Sequence, residues 1–204
     1  MTNSRLNPLT SDELGDEARK LYGAILNGPR GKGFARKIVL RDDSSLTGPF
    51  DAWLRTPQLG HLVERVGMAL RSDTVLSAAA REVAILVVAN AWKVEFEWLV
   101  HLMLAKRNGI SEEAIAAIQK NKTPKFVDVE CQAAHGVALA LVNERKLSSD
   151  LYESAKNALG VRALVELVTL IGFYQMVSGM LESFRPPEAS IDLAAASIGL
   201  PVNQ

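Results

Sequence analysis

The chain has a single cysteine, Cys131, among its 204 residues. One cysteine excludes a disulfide within the chain and a dithiol redox couple within one subunit. No redox or metal-binding motif surrounds Cys131, so we expect a buried apolar thiol. An excess of charge of one sign is also lacking, because 23 basic residues balance 23 acidic ones. This balance gives no electrostatic support for binding nucleic acid or an anionic membrane surface.

Long uninterrupted apolar runs are scarce as well. Residues 1–8 have no apolar core of the kind that secretory signals carry. The longest late apolar run, residues 167–181, is short and interrupted beside the roughly 20 apolar residues that span a membrane. We therefore expect a cytoplasmic protein without a membrane partner.

Helical periodicity is abundant. Apolar residues recur every three to four positions, and no Asn-Gly or Gly-Asn dipeptide lies between two alternating, strand-like segments. The sequence therefore predicts an all-α fold. Helices are predicted over residues 10–26, 59–70, 78–91, 94–107, 111–119, 127–144, 149–158 and 161–182. The polar, glycine-rich segment 28–48 is predicted to be a long loop or arm, and 50–55 a short apolar turn.

Several details of these helices are predicted. Thr10 and Glu13 fit a capping box that would start the first helix. In the helix over 59–70, Leu62, Val66 and Leu70 are expected to face inward. The helices over 78–91 and 94–107 should form an antiparallel pair. Beyond Pro186, a tail with an extended arm or a short helix around 191–198 is expected.

Three ionisable residues stand out within this predicted pair. Glu97 and His101 are four residues apart, so they share one face of a helix. Glu82 lies on the preceding apolar helix, which can fold back beside them. Two carboxylates that converge on an imidazole would suit proton transfer, because histidine ordinarily gains and loses a proton near neutrality.

The stretch from residue 76 to 118 resembles the carboxymuconolactone decarboxylase family, related to the alkylhydroperoxidase D-like proteins. The peroxidase branch carries a Glu followed by Cys-x-x-Cys-x-x-x-His. Laid on this chain, that pattern places its Glu on Glu82, its His on His101 and its two cysteines on Val94 and Glu97. The chain is therefore similar to the decarboxylase-type branch. The resemblance implies an alkylhydroperoxidase D-like helical bundle over residues 1–204, extended by an N-terminal part (1–48) and a C-terminal tail (186–204).

The resemblance implies a cofactor-free decarboxylase, or a related lyase or isomerase, that acts on a small carboxylated lactone or a similar aromatic-degradation intermediate. His101 is the expected proton donor, with Glu97 and Glu82 assisting it as catalytic residues. Trp98 and Phe96 are expected to wall the substrate pocket. The carboxylate anchor would be Arg81, unless its side chain points elsewhere.

Two other functions stay open. The first is a thiol peroxidase or peroxiredoxin-like activity, which the family name suggests and which the absent cysteine pair disfavours. The second is a non-catalytic oligomer that binds a small ligand. Glu82, Glu97 and His101 do not have a recognised metal-ligand spacing, so no metal is expected. The reaction that the resemblance implies needs no organic cofactor, because the substrate's own carbon skeleton takes up the electron pair. His61 and His135 lie in no motif and are expected to be structural or surface residues.

Assembly and internal symmetry are also predicted. The family resemblance implies a homo-oligomer, with a trimer or hexamer expected first and a dimer next. A faint repeat aligns Glu82 with Glu166 and His101 with Arg185, which suggests two pseudo-repeated halves. The second half would be structural, because it lacks the imidazole. The expected partners are thus a small acidic substrate and further copies of this chain.

Overall fold

The computed structural model describes residues 4–186, and in that range the chain is helical without a named strand. The helices are α1 Asp16–Asn27, α2 Gly33–Val39, α3 Gly48–Trp53, α4 Pro57–Ser72, α5 Ala78–Trp92, α6 Glu95–Arg107, α7 Glu112–Gln119, α8 Val129–Asn143 and α9 Ser149–Phe184. Short 3-10 turns cover Ser11–Glu13 and Pro29–Gly31. The all-α prediction is confirmed.

The described residues divide into two compact units. The first contains residues 4–68 and 179–186, and the second contains residues 69–178. The predicted helix around 191–198 lies outside the described residues. The candidate catalytic residues Glu82, Glu97 and His101 all belong to the second unit.

Three sequence predictions for the first unit were wrong. The Glu13 carboxylate accepts hydrogen bonds from the Thr10 backbone and hydroxyl, each 2.9 Å long, but this box opens only a 3-10 turn. Helix α1 begins later, at Asp16. The segment 28–48 is not a continuous loop, because α2 forms within it. The predicted turn at 50–55 is replaced by α3, which begins at Gly48 and has Pro49 in its first turn, where a proline fits.

Helix α4 also differs from its prediction. Leu62 and Val66 are exposed, whereas Leu70 is buried as expected. The inward face instead carries Gly60, where an added Cβ would lie 2.4 Å from a Leu21 methyl group. One turn later the buried Glu64 pairs with Arg30 at 2.9 Å. A glycine and an ion-paired carboxylate form this contact, so apolar periodicity assigned the wrong side.

The second unit is built around α5, which is buried from Glu82 to Ala89 on nearly every side. Its first turn is capped by Ser77, whose hydroxyl accepts a hydrogen bond from the Ala80 amide at 3.2 Å. Lys93 ends α5 in the left-handed conformation, with φ at 58°, and α6 starts two residues later. This short link folds α6 back along α5, as predicted. Helix α8 packs on α5 as well.

Helix α9 is long and apolar, but it contributes to the core. It breaks at Gly160, where φ is 76° and ψ is 161°, close to the boundary predicted between two helices. By length and a mean hydropathy of 1.6, α9 could cross a membrane. However, Leu164, Leu167 and Ile171 pack in the apolar core with α5 and α8. A core helix of this composition is weak evidence for a membrane span.

Candidate functional site

The structure brings Glu82, His101 and Glu97 into one hydrogen-bonded row. The Nδ1 of His101 lies 2.6 Å from Oε2 of Glu82, and its Nε2 lies 3.2 Å from Oε2 of Glu97. All three side chains are buried. Both ring nitrogens therefore face a carboxylate, and a doubly protonated imidazolium satisfies both contacts as a donor. We call these three residues the relay.

The local sequence explains this convergence. Glu97 and His101 are one turn apart on α6, so they point to the same side. Glu82 lies near the start of α5, and the short α5–α6 link carries α6 back past it. The apolar residues that surround Glu82 on α5 pack in the core, so its carboxylate is held away from water.

The relay holds its proton tightly. Burial alone would lower the pKa of His101, but Tyr174 and the carboxylates of Glu82 and Glu97 outweigh it and raise the pKa to about 10. The resting imidazole is therefore charged at neutral pH. This differs from the sequence expectation of a histidine that exchanges freely near pH 7. A charged imidazole between two carboxylates avoids an unpaired buried charge.

Two residues that the sequence argument missed complete the surroundings. Tyr174 of α9 stands edge-on to the His101 ring, with centroids 5.0 Å apart. Its hydroxyl accepts a hydrogen bond from Nη1 of Arg71 at 3.3 Å. Burial would lower the pKa of Arg71, yet Tyr174, Glu82 and Glu97 together raise it. Arg71 and His101 thus balance the two relay carboxylates, a pairing that no short motif reveals because α4 and α9 supply the partners.

The three residues predicted to contact substrate lie in different environments. Trp98 is half-buried and packs against the apolar core, next in sequence to Glu97. Phe96 is half-buried on the other side of Glu97. Arg81 donates from Nη1 to the Leu76 carbonyl at 2.9 Å, which ties it to the start of its own helix. The role of Arg81 as a carboxylate anchor stays a prediction.

Thiol and metal chemistry find little support at this site. Burial, followed by the nearby Asp128, raises the pKa of Cys131 to about 12. A thiol with such a pKa is almost entirely protonated at neutrality and is a poor nucleophile. Within residues 4–186, no cluster of three or more His, Cys, Asp and Glu is arranged to hold a metal ion. The predicted absence of a cofactor stays a prediction.

Glu166, the residue that the repeat aligns with Glu82, has a structural position. Its carboxylate accepts hydrogen bonds from the Thr74 hydroxyl at 2.6 Å and from the Val75 amide at 2.9 Å. It also pairs with Arg162. These contacts tie α9 to the loop before α5, and they fit the expectation that a second half would be structural. The repeat itself stays a prediction.

The comparisons with known proteins concern the family and the fold. Residues 57–126 match the model of the carboxymuconolactone decarboxylase family. The match covers about a third of the chain and contains the whole relay. The resemblance recognised from the residues around Glu82 and His101 is confirmed over this segment, and the decarboxylase-type branch stays a prediction.

Two solved structures share the fold. One is the alkylhydroperoxidase AhpD core, an uncharacterised peroxidase-related protein from Ralstonia eutropha JMP134, with 14% identity and a TM-score of 0.71 over 92% of this chain and 93% of that chain. The other is an uncharacterised peroxidase-related protein from Silicibacter sp. TM1040, with 12% identity and a TM-score of 0.70 over 92% of each chain. At such low identity they establish the alkylhydroperoxidase D-like fold alone. No protein of curated function matches the chain in sequence.

Proposed function

We propose that this carboxymuconolactone decarboxylase family protein is a cofactor-free acid–base enzyme, a lyase or isomerase that acts on a small carboxylated lactone or a similar acid. The observation that carries the proposal is the buried row of Glu82, His101 and Glu97. A charged imidazole between two carboxylates is a proton store. Proton transfer by such a group contributes typically about 100- to 10,000-fold to a rate.

In a decarboxylation, the bond between the ring carbon and its carboxylate breaks and carbon dioxide leaves. The electron pair stays on the carbon skeleton and spreads to the lactone carbonyl oxygen, so the substrate is its own electron sink. The proton on Nε2 of His101 passes to Glu97, which delivers it to the carbon. Glu82 keeps hold of Nδ1, and Arg71 supplies a positive field for the developing oxyanion. Solvent then returns a proton to His101.

The experiment is a carbon dioxide release and lactone isomerisation assay on a panel of carboxylated lactones. His101→Gln and Glu97→Gln should each lower turnover by at least about 100-fold, the lower end for a general acid–base group. Glu95→Gln is the matched control, because Glu95 is an exposed residue of the same helix turn. Full activity of His101→Gln on a turned-over substrate would refute the assignment.

A non-catalytic ligand-binding oligomer is the second candidate, and the depth of the relay favours it. His101 is only 3% exposed and Glu97 only 5%, so substrate reaches neither without local opening or a contribution from another copy. In this alternative the relay is a structural network. His101→Gln would then lower the melting temperature, and no substrate of the panel would be turned over.

We also propose that the chain self-associates, with a trimer or hexamer first and a dimer next. The support is an exposed apolar stripe on one side of α9, formed by Val161, Val165, Val168 and Met176. The described residues leave this stripe uncovered, and contiguous exposed apolar surface commonly marks an interface. The remaining partner would be the small acidic substrate. We propose a cytoplasmic location and neither nucleic acid nor membrane as a partner.

A further inference from the structure

A cavity lies within the second unit, away from the relay. The C-terminal ends of α5, α7 and α8 and one residue of α9, Gln175, line a cleft of about 810 Å³. None of the three relay residues lines it. Its volume falls within the range of small-molecule sites, which is roughly 300 to 1,000 Å³. The proposed function leaves this cleft unused.

The charged residues that line the cleft are all basic. Lys93, Lys122 and Arg145 line it, and no aspartate or glutamate does. None of these three cations forms an ion pair with another described residue. The partial negative charges of the helix ends do not neutralise these cations, because each C-terminus carries only about half a negative charge. Three helix ends against three full positive charges leave the cleft positive.

The backbone conformation at two of these cations also favours a ligand that uses their charge. Lys93 and Arg145 follow the ends of α5 and α8 in the left-handed conformation, with φ at 58° and 60°. Glycine adopts this conformation freely, whereas a residue with a Cβ loses about 1 to 2 kcal/mol there. Each position nevertheless holds a long basic side chain beside the cleft. A ligand that uses the charge would explain why glycine does not stand there.

The buried end of the cleft holds an imidazole without a hydrogen bond. His135 of α8 is 5% exposed, and its ring lies 6.1 Å from that of Phe126. Neither ring nitrogen has a hydrogen-bond partner among residues 4–186. Burial lowers its pKa, so the ring is neutral and offers one donor and one acceptor. Neither ring nitrogen is among the fully buried polar atoms that lack a partner, so both keep accessible surface that a ligand in the cleft can use.

The remaining walls indicate what kind of ligand fits. Apolar side chains form one part of the lining: Val87, Trp92, Ile118, Leu139 and Val142. Amide groups of Asn143 and Gln175 add neutral donors and acceptors. Asn90 is already occupied, because its amide donates to the Ile118 carbonyl and to Asn121. An apolar body with an anionic end matches this combination of walls and cations.

We infer that the cleft at the ends of α5, α7 and α8 binds a small organic carboxylate, with its apolar body against Trp92 and Leu139 and its anionic end between His135 and the basic side chains. This site is separate from the relay and does not depend on the proposed catalysis. A free phosphate would share the anionic chemistry but would leave the apolar wall uncovered. A neutral amide of the same shape would lack the charge.

The test is calorimetric titration of the full chain with three probes, namely benzoate, benzamide and inorganic phosphate. Benzoate should bind saturably, and both other probes should bind at least about tenfold more weakly, a difference of 1.4 kcal/mol. The imidazole signals of His135, followed by NMR in the unmodified protein, should shift with benzoate occupancy. This NMR measurement uses the unmodified protein, so its result does not depend on whether a variant folds.

Matched variants locate the site. Lys122→Gln and Arg145→Gln should each weaken benzoate binding by about two- to fivefold, as expected for exposed charges. Lys120→Gln and Lys146→Gln are the controls, because both are exposed lysines near these positions that do not line the cleft. Equal effects of variants and controls, equal binding of benzamide or phosphate, or no saturation by benzoate at roughly 10 mM would overturn the inference. Loss of the relay's activity alone would leave it standing.

Discussion

The strongest physical consequence of the relay is a dependence of stability on alkaline pH. The folded pKa of His101 is raised to about 10, whereas an unfolded histidine titrates near ~6.5. Because the folded pKa is the higher one, the stabilisation is complete below the unfolded pKa and is lost as pH rises through the folded pKa. Between these values the folded chain holds one more proton than the unfolded chain.

The size of the effect follows from that single proton. The free energy of unfolding should fall by about 1.4 kcal/mol per pH unit across this window. From about pH 7 to pH 9 the relay alone would remove about 3 kcal/mol. Domains of this kind are typically stable by only about 5 to 15 kcal/mol, so the change is large enough to measure. Solvent screening should not reduce this change in the free energy of unfolding, because His101 is buried.

The assay is urea unfolding followed by far-UV circular dichroism at several pH values in this window. His101→Gln is the reference protein, because titrating groups away from the relay contribute equally to both proteins and cancel in the difference. This change leaves Glu82 and Glu97 buried without their cation, so it carries a cost of about 3 to 5 kcal/mol and risks unfolding. Glu82→Gln is the second variant, since it removes one carboxylate and should lower the pKa of His101.

Direct titration of the imidazole by NMR supplies an independent reading in the unmodified protein. The His101 signals should stay those of an imidazolium throughout the neutral range. An imidazole that titrates near ~6.5, or equal pH slopes for the unmodified chain and His101→Gln, would refute the reasoning. In that case the two short contacts would not bind a proton, and the proposed proton store would fail with them.

Three further predictions follow from particular contacts. Cys131 should react with thiol reagents only after unfolding, because it is buried with a raised pKa, and Cys131→Ser should leave any hydroperoxide reduction unchanged; fast labelling of the native chain would contradict this. Gly60→Ala should lower stability by about 1 to 3 kcal/mol in urea unfolding, because its Cβ would overlap a Leu21 methyl group, whereas the control Gly23→Ala, which meets only a side chain at 3.9 Å, should be neutral or stabilising. Val165→Asp should reduce the mass measured by light scattering, because it places a charge in the α9 stripe; a monomeric parent protein would refute self-association.

The convergence of Glu82, Glu97 and His101 was predictable because its geometry is local, whereas their catalytic role stays a prediction. The spacing of Glu97 and His101 places both on the same face of any helix. The link between α5 and α6 is only two residues long, and it turns α6 back along α5. Ser77 and Ser111 mark two of the helix starts by accepting the hydrogen bonds that end groups need. These features depend on a few neighbouring residues, so a reader of the sequence has them all in view.

Features that depend on distant partners were not predictable in the same way. Arg71 and Tyr174 meet although 103 residues separate them. The face of α4 was misjudged because a glycine contact and an ion pair replace the usual apolar side chains. His135 lies in no motif, so the sequence predicted only a structural or surface residue. Its place in a cleft becomes visible only when three helix ends converge around it. Apolar periodicity carries no information about these partners.

The carboxylate at position 97 is central to the proposed function. In the cysteine-containing pattern of the peroxidase branch, the second cysteine falls at the place of Glu97. A carboxylate at that place accepts a hydrogen bond from Nε2 of His101 and helps to raise the pKa of the ring. Under the proposed function, the imidazole keeps this proton until the substrate needs it. Cys131, buried beside Asp128 with a raised pKa, is not suited to replace the missing thiols.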